Sequence, residues 1–180
     1  MNPLASTTLE IALPLAVPLL AGVVAWWANG VRAERTRLQQ LYADAFSAVV
    51  SYQEFPYAIR RRRAPIQGKE AIAGEERLRI SQALQSVQEA LANYRAQIST
   101  ESAAISATYD VLVRRTRDVA GGEMRKAWES TPVNSDDAMN ITHIDYSKLA
   151  EYEQHFLQAV RREVGFKAIA FAGVRSTFSR

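Results

Sequence analysis

The sequence predicts an all-α protein in which one N-terminal transmembrane helix precedes a cytosolic antiparallel helical bundle or coiled coil of three to four helices. Residues 11–31 form its longest uncharged run. Beyond this run, apolar residues recur at three- and four-residue steps, which is the period of a helix buried on one side. No segment shows the strict alternation of a half-buried strand. We therefore expect an N-terminal tail and anchor over residues 1–31 and an α-helical domain over residues 32–180.

The anchor prediction depends on the length and the edges of the uncharged run. A bilayer core about 30 Å thick requires roughly 20 apolar residues in a helix, and residues 11–31 meet that length without an ionisable side chain. Trp26 and Trp27 stand near the end that Arg32 closes. Indole rings favour the headgroup region of a bilayer, so these three residues are the predicted membrane interface.

Two alternatives to a spanning helix are a buried core helix and a cleaved signal peptide. Pro14 and Pro18 each remove a backbone donor, yet prolines are tolerated in spanning helices. A signal peptide requires a basic N-terminal region, whereas the residues before this run include Glu10 and neither lysine nor arginine. The spanning helix is therefore the favoured interpretation.

The charges on either side of the run predict an orientation. Arg32, Arg35 and Arg37 follow it, and no basic residue precedes it. By the positive-inside rule, the N-terminus lies outside and the C-terminal domain lies in the cytoplasm of a single-pass cell-membrane protein. The absence of cysteine is compatible with a reducing compartment.

The first and last predicted cytosolic helices each have one apolar stripe. We expect Pro56 to bend or loosen the first, because proline lacks the backbone N–H, and Ala64–Gly68 to form a turn. Thr142 with Asp145 could cap the start of the last helix. The two predicted stripes are Leu38, Leu41, Ala45, Val49 and Tyr52, and Leu149, Tyr152, Phe156, Val160 and Val164.

A heptad pattern marks the middle of the chain. Its members, each seven residues from the next, are Leu84, Leu91, Ile98, Ile105 and Leu112. Such a stripe suits bundle or coiled-coil packing, and it is the candidate assembly stripe. An unbroken helix over residues 69–119 would be about 76 Å long and, upright beside a membrane-rooted neighbour, would carry Asp110 and Arg114 into lipid. We therefore predict a break near Ser99–Ser102, although the constant heptad phase argues for continuity.

The run from Arg60 to Arg63 is the candidate site for an anionic partner. Its guanidinium groups can bind carboxylate or phosphate in a fork, and three aromatic residues precede them. A protein surface, lipid headgroups and nucleic acid are the external partners considered. The alternative is an intramolecular network in which carboxylates of this chain neutralise the run. The candidate carboxylates are Glu70, Glu75, Glu76, Asp136 and Asp137.

The sequence contains no recognisable catalytic, cofactor-binding or metal-binding motif. Cysteine nucleophiles are excluded, and no phosphate-binding loop follows Gly121-Gly122. His143 and His155 stand twelve residues apart, whereas ligand pairs on a helix are three or four apart. We therefore expect neither an enzyme nor a cofactor.

Two functional hypotheses follow from these patterns. The leading one is a non-enzymatic, membrane-anchored helical protein that acts through assembly, as an adaptor, a regulator or a defence-type membrane effector. Its partners would be the lipid bilayer and either another protein or a second copy. The alternative is a membrane-tethered binder of nucleic acid or another anionic ligand through Arg60–Arg63, with nucleic acid the less favoured partner.

Overall fold

The computed structural model of the chain describes the backbone of residues 4–65, 70–133 and 143–177, and the side-chain environments of 22, 24–65, 70–133 and 143–165. Every regular element of these residues is helical, so the all-α prediction is confirmed. The elements are α1 (Leu4–Gln53), α2 (Phe55–Arg60), α3 (Glu70–Glu101), α4 (Ala103–Glu129), a 3₁₀ turn (Ser147–Leu149) and α5 (Ala150–Thr177).

The chain consists of two compact units, Met1–Gln40 and Leu41–Arg180. The first unit contains the N-terminal part of α1, and the second contains the helical bundle. Within the described part of the chain, no helix is both long enough and apolar enough to cross a membrane. Most side chains of the predicted span, residues 11–31, lie outside the described residues.

A single residue, Ser102, separates α3 from α4. Its backbone is extended, at φ −157° and ψ 117°, and its hydroxyl caps α4 by accepting a hydrogen bond from the Ile105 backbone N–H at 3.4 Å. Beyond it the chain turns back, because Arg95 Nε lies 2.7 Å from Asp110 Oδ1 on the facing helix. The predicted break is confirmed, and the argument for continuity from heptad phase was wrong.

The direction of the helices in the second unit follows from the pairs of residues that touch. The hydroxyl of Tyr109 on α4 donates to the backbone carbonyl of Ala45 on α1 at 3.3 Å. On α5, the ring of Phe156 stacks on Phe46 at 6.3 Å between centroids and packs against Tyr109 at 5.5 Å. Since Gln53 also bonds Glu153 at 3.0 Å, α5 runs antiparallel to α1. The second unit is therefore an antiparallel bundle whose centre is this aromatic cluster.

The predicted stripes of the first and last helices are largely buried. All five residues of the first stripe are buried. In the last stripe Leu149, Phe156 and Val164 are buried, and Tyr152 and Val160 are half-buried. Pro56 was expected to bend or loosen the first helix, but the interruption is complete: α1 ends at Gln53, and α2 begins at Phe55 with Pro56 in its first turn.

The two predicted turns around these helices are only partly described. Residues 66–68 of the predicted turn after α2 lie outside the described residues, as does Thr142. Asp145 does not occupy a cap position; its carboxylate accepts a hydrogen bond from the Ser147 backbone N–H at 2.8 Å, at the start of the 3₁₀ turn whose N-cap is Tyr146. The last α-helix, however, begins at Ala150, after a 3₁₀ turn. The predicted start therefore falls several residues too early.

The heptad stripe lies inside this chain's own bundle. Leu91 is 1% exposed, and Ile98, Ile105 and Leu112 are fully buried, while Leu84 is half-buried. Because the chain reverses at Ser102, the members on α3 and those on α4 belong to two packed helices. The stripe thus needs no second molecule to be buried, and its use as an assembly surface would require the bundle to open.

Substitutions around Ser102 test the helix break. Ser102→Ala should lower the free energy of unfolding by about 1 kcal/mol, since it removes an N-cap. Ala103→Pro should change it by less than that, because the first helical position tolerates proline. Ala107→Pro, in the interior of α4, should cost about 3 kcal/mol. Chemical denaturation of the full chain in detergent micelles measures all three. If proline were as damaging at 103 as at 107, the helix would be continuous there.

Candidate anionic-partner site

The arginine run begins at the last residue of α2 and continues into a segment that pairs with the chain after α4. The Val133 backbone N–H donates to the Arg62 carbonyl at 2.9 Å, and the Ala64 N–H donates to the Val133 carbonyl at 3.0 Å. Burial changes from one residue to the next along this segment. Arg62 is buried, whereas Arg61 and Arg63 are exposed. The four arginines therefore do not form one surface.

The guanidinium of Arg62 binds four backbone carbonyl groups, and the side chain is only 7% exposed. The acceptors and their distances are Ile59 at 3.0 Å, Ala127 at 2.6 Å, Trp128 at 2.8 Å and Ser130 at 2.6 Å. The last carbonyls of a helix lack partners within it and form the negative end of its dipole. Arg62 therefore caps α4 with a positive charge. Burial, with a smaller contribution from Arg77, lowers its pKa below the ordinary value, yet an arginine stays protonated in proteins.

Arg60 is bound within the chain by a carboxylate. Its Nη2 lies 2.9 Å from Glu123 Oε2 on α4, and both side chains are about four-fifths covered, at 20% and 19% exposure. The other oxygen of Glu123 binds Lys126 at 2.7 Å. Arg60 and Arg62 thus fasten α2 to the C-terminal half of α4.

The predicted carboxylate partners differ from those in the structure. Glu123, which was not among the candidates, pairs with Arg60. Of the candidates, Glu76 bonds the run, accepting from the backbone N–H of Arg63 at 2.9 Å. Asp136 and Asp137 lie outside the described residues.

Two further residues belong to the same end of the bundle. The guanidinium carbon of Arg62 lies 5.1 Å from the centroid of the Trp128 ring, and that indole is 39% exposed. Arg77 on α3 is exposed and close enough to Arg62 to lower its pKa. No sequence pattern indicated either residue, because α2, α3 and the end of α4 are far apart along the chain.

A group of hydrogen bonds fastens the segment before α5 to the junction of α1 and α2. The hydroxyl of Tyr146 donates to the Gln53 carbonyl at 2.7 Å, and the Ile144 backbone N–H donates to the hydroxyl of Tyr57 at 2.9 Å. Burial raises the pKa of Tyr146 above its ordinary value. The phenol is therefore a stable donor.

The other predicted positions are placed as follows. His143 and His155 are both exposed, and the described residues contain no cluster of three potential metal ligands. Among the predicted interface residues, Trp26 is 78% exposed, Arg32 is exposed and Trp27 is half-buried.

Comparison with protein-family models, curated proteins and solved structures finds no significant match. No relative therefore indicates what this chain does.

Replacement of Arg62 tests its role as a cap. Arg62→Gln should lower the free energy of unfolding by about 2–4 kcal/mol, because buried carbonyls lose charged donors. Arg61→Gln, which removes the neighbouring exposed charge, should change it by less than about 0.5 kcal/mol. Denaturant titration of both variants compares them directly. Equal losses would show that Arg62 has no special structural role.

Proposed function

We propose that this chain is a single-pass protein of the cell membrane, with its N-terminus outside and its helical bundle in the cytoplasm. It acts without catalysis, as an adaptor, a regulator or a membrane effector. Its action consists of assembly with a partner protein or with a second copy of itself. The observation that carries this proposal is the uncharged run at residues 11–31.

The exposure of the first unit supports the anchor. Val24 is 52% exposed and Trp26 is 78% exposed, although both belong to this run. Each exposed large apolar side chain forgoes about 1.5–3 kcal/mol that burial would provide. A bilayer would cover such residues, and Trp26 would lie at its headgroup level beside Arg32.

The exposed apolar residues of α3 support assembly. Although α3 is 32 residues long, only Ala73, Ile80, Leu91 and Ile98 are buried. Ile72 and Leu78 are 52% and 58% exposed near its N-terminal end. The heptad stripe is already used inside the bundle, so we propose this part of α3 as the contact with a partner.

Lysine substitutions test the anchor. The parent chain should stay with membranes after alkaline carbonate extraction, and Leu20→Lys combined with Val24→Lys should release it. Each lysine near a bilayer centre costs about 2.5–3.5 kcal/mol. Gln39→Lys with Ser47→Lys adds the same charge beyond the run and should leave the chain in the membrane. Extraction of the parent chain would contradict the anchor.

The orientation has its own measurement, since the chain contains no cysteine. A cysteine introduced by Ser6→Cys should react with a membrane-impermeant maleimide in intact cells. One introduced by Ser47→Cys should react only after permeabilisation. The opposite pattern would reverse the proposed topology.

Assembly is tested with the purified full chain in detergent micelles. Light scattering should show more than one copy, or affinity capture from the native membrane should retain a specific protein. Leu78→Glu should weaken that association at least tenfold, since a buried leucine contributes about 1.5–3 kcal/mol. Gln88→Glu, at another exposed position of α3, should leave it unchanged. A strictly monomeric chain that captures nothing would refute the proposal.

A further inference from the structure

Three exposed arginines and one exposed tryptophan belong to the end of the bundle where α2 meets the start of α3 and the end of α4. Arg62 is the centre of this surface, because its guanidinium lies under the indole and its chain neighbours are both exposed. The hydrogen bond from the Arg63 backbone N–H to Glu76 brings the start of α3 alongside. We call the exposed set the basic-aromatic surface; its members are Arg61, Arg63, Arg77 and Trp128.

Among the described residues, no ion pair neutralises the arginines of the basic-aromatic surface. The buried charge of Arg62 meets carbonyl groups rather than a carboxylate. The carboxylate of Glu76 accepts a hydrogen bond from the backbone N–H of Arg63, not from an arginine side chain. Clustered positive charge of this kind attracts a polyanion.

Trp128 adds a flat apolar group that is held in place. Arg62 covers the ring at 5.1 Å, and this guanidinium is itself fixed by its carbonyl partners. The indole nevertheless remains 39% exposed. An aromatic ring fixed beforehand loses little conformational entropy when another ring stacks on it.

We propose that the basic-aromatic surface binds single-stranded nucleic acid, with the three arginines on phosphates and Trp128 stacked on a base. An acidic peptide would satisfy the arginines but would leave the indole without a role. In a duplex the bases already stack on one another, so only a single strand uses both features. This site lies outside the heptad stripe and does not include Ile72 or Leu78, so the inference does not depend on assembly.

Tryptophan fluorescence of the full chain in uncharged detergent micelles tests the proposal. The chain has three tryptophans, so Trp26→Phe with Trp27→Phe leaves Trp128 as the reporter. A short oligothymidylate should quench it saturably, and less tightly as salt rises. In that background, replacing Arg61, Arg63 and Arg77 by glutamine should weaken binding at least tenfold. The dependence of log affinity on log salt should become shallower by about 2, at roughly 0.7 per phosphate contact.

Matched variants separate stacking and position from overall charge. The charge control replaces three exposed arginines of α4 and α5 by glutamine, namely Arg114, Arg161 and Arg162. It removes the same charge and should change the affinity less than about threefold. Anisotropy of a labelled oligothymidylate should show about tenfold weaker binding for Trp128→Ala and nearly full binding for Trp128→Phe.

Four results would overturn the proposal. The first is the absence of quenching, and the second is an equal loss of affinity in the matched arginine variant. The third is binding of a duplex as tight as binding of the single strand. The fourth is equally tight binding of polyglutamate, which would identify a site for acidic proteins instead.

Discussion

The carbonyl groups at the end of α4 have no hydrogen-bond donors within their own helix, and the guanidinium of Arg62 supplies the missing donors. This contact joins two distant parts of the chain, because the end of α2 must lie against the end of α4 for it to form. It also holds the indole of Trp128 and leaves Arg61 and Arg63 on the outside. Within this run of four arginines, Arg60 and Arg62 thus hold α2 against α4, while Arg61 and Arg63 remain exposed.

Much of the fold was predictable because helical periodicity is a local property. The stripes of the first and last helices indicate which side faces the core, and Pro56 indicates that the helix is disturbed near that residue, although not that α1 ends there. The break at Ser102 was predicted only through the cost of placing charges in lipid. Heptad phase misled there, because leucines and isoleucines spaced by seven residues pack equally well in one long helix and in a hairpin. The extended backbone of one serine decides between them.

The candidate site was only partly predictable, because its partners come together through tertiary contacts. The sequence identified Arg60–Arg63 but could not distinguish the buried Arg62 from the exposed Arg63. That difference arises where the segment after α2 pairs with Val133. Glu123, Arg77 and Trp128 carry no local signal, since each resembles an ordinary helix residue until α2 and α3 are placed beside α4. Long-range pairing decides which charges remain available for a ligand.

NMR of the arginine guanidinium groups, recorded on the full chain in micelles, tests most directly whether Arg62 is bound inside the protein while Arg61 and Arg63 remain exposed. We expect Arg62 to give Nη–H signals that exchange slowly with water and rotate slowly, because its donors bind four carbonyls. Arg61 and Arg63 should give averaged, rapidly exchanging signals, since both are exposed. Assignment follows from loss of the slow signals in Arg62→Lys. Rapid exchange at all three arginines would contradict the account.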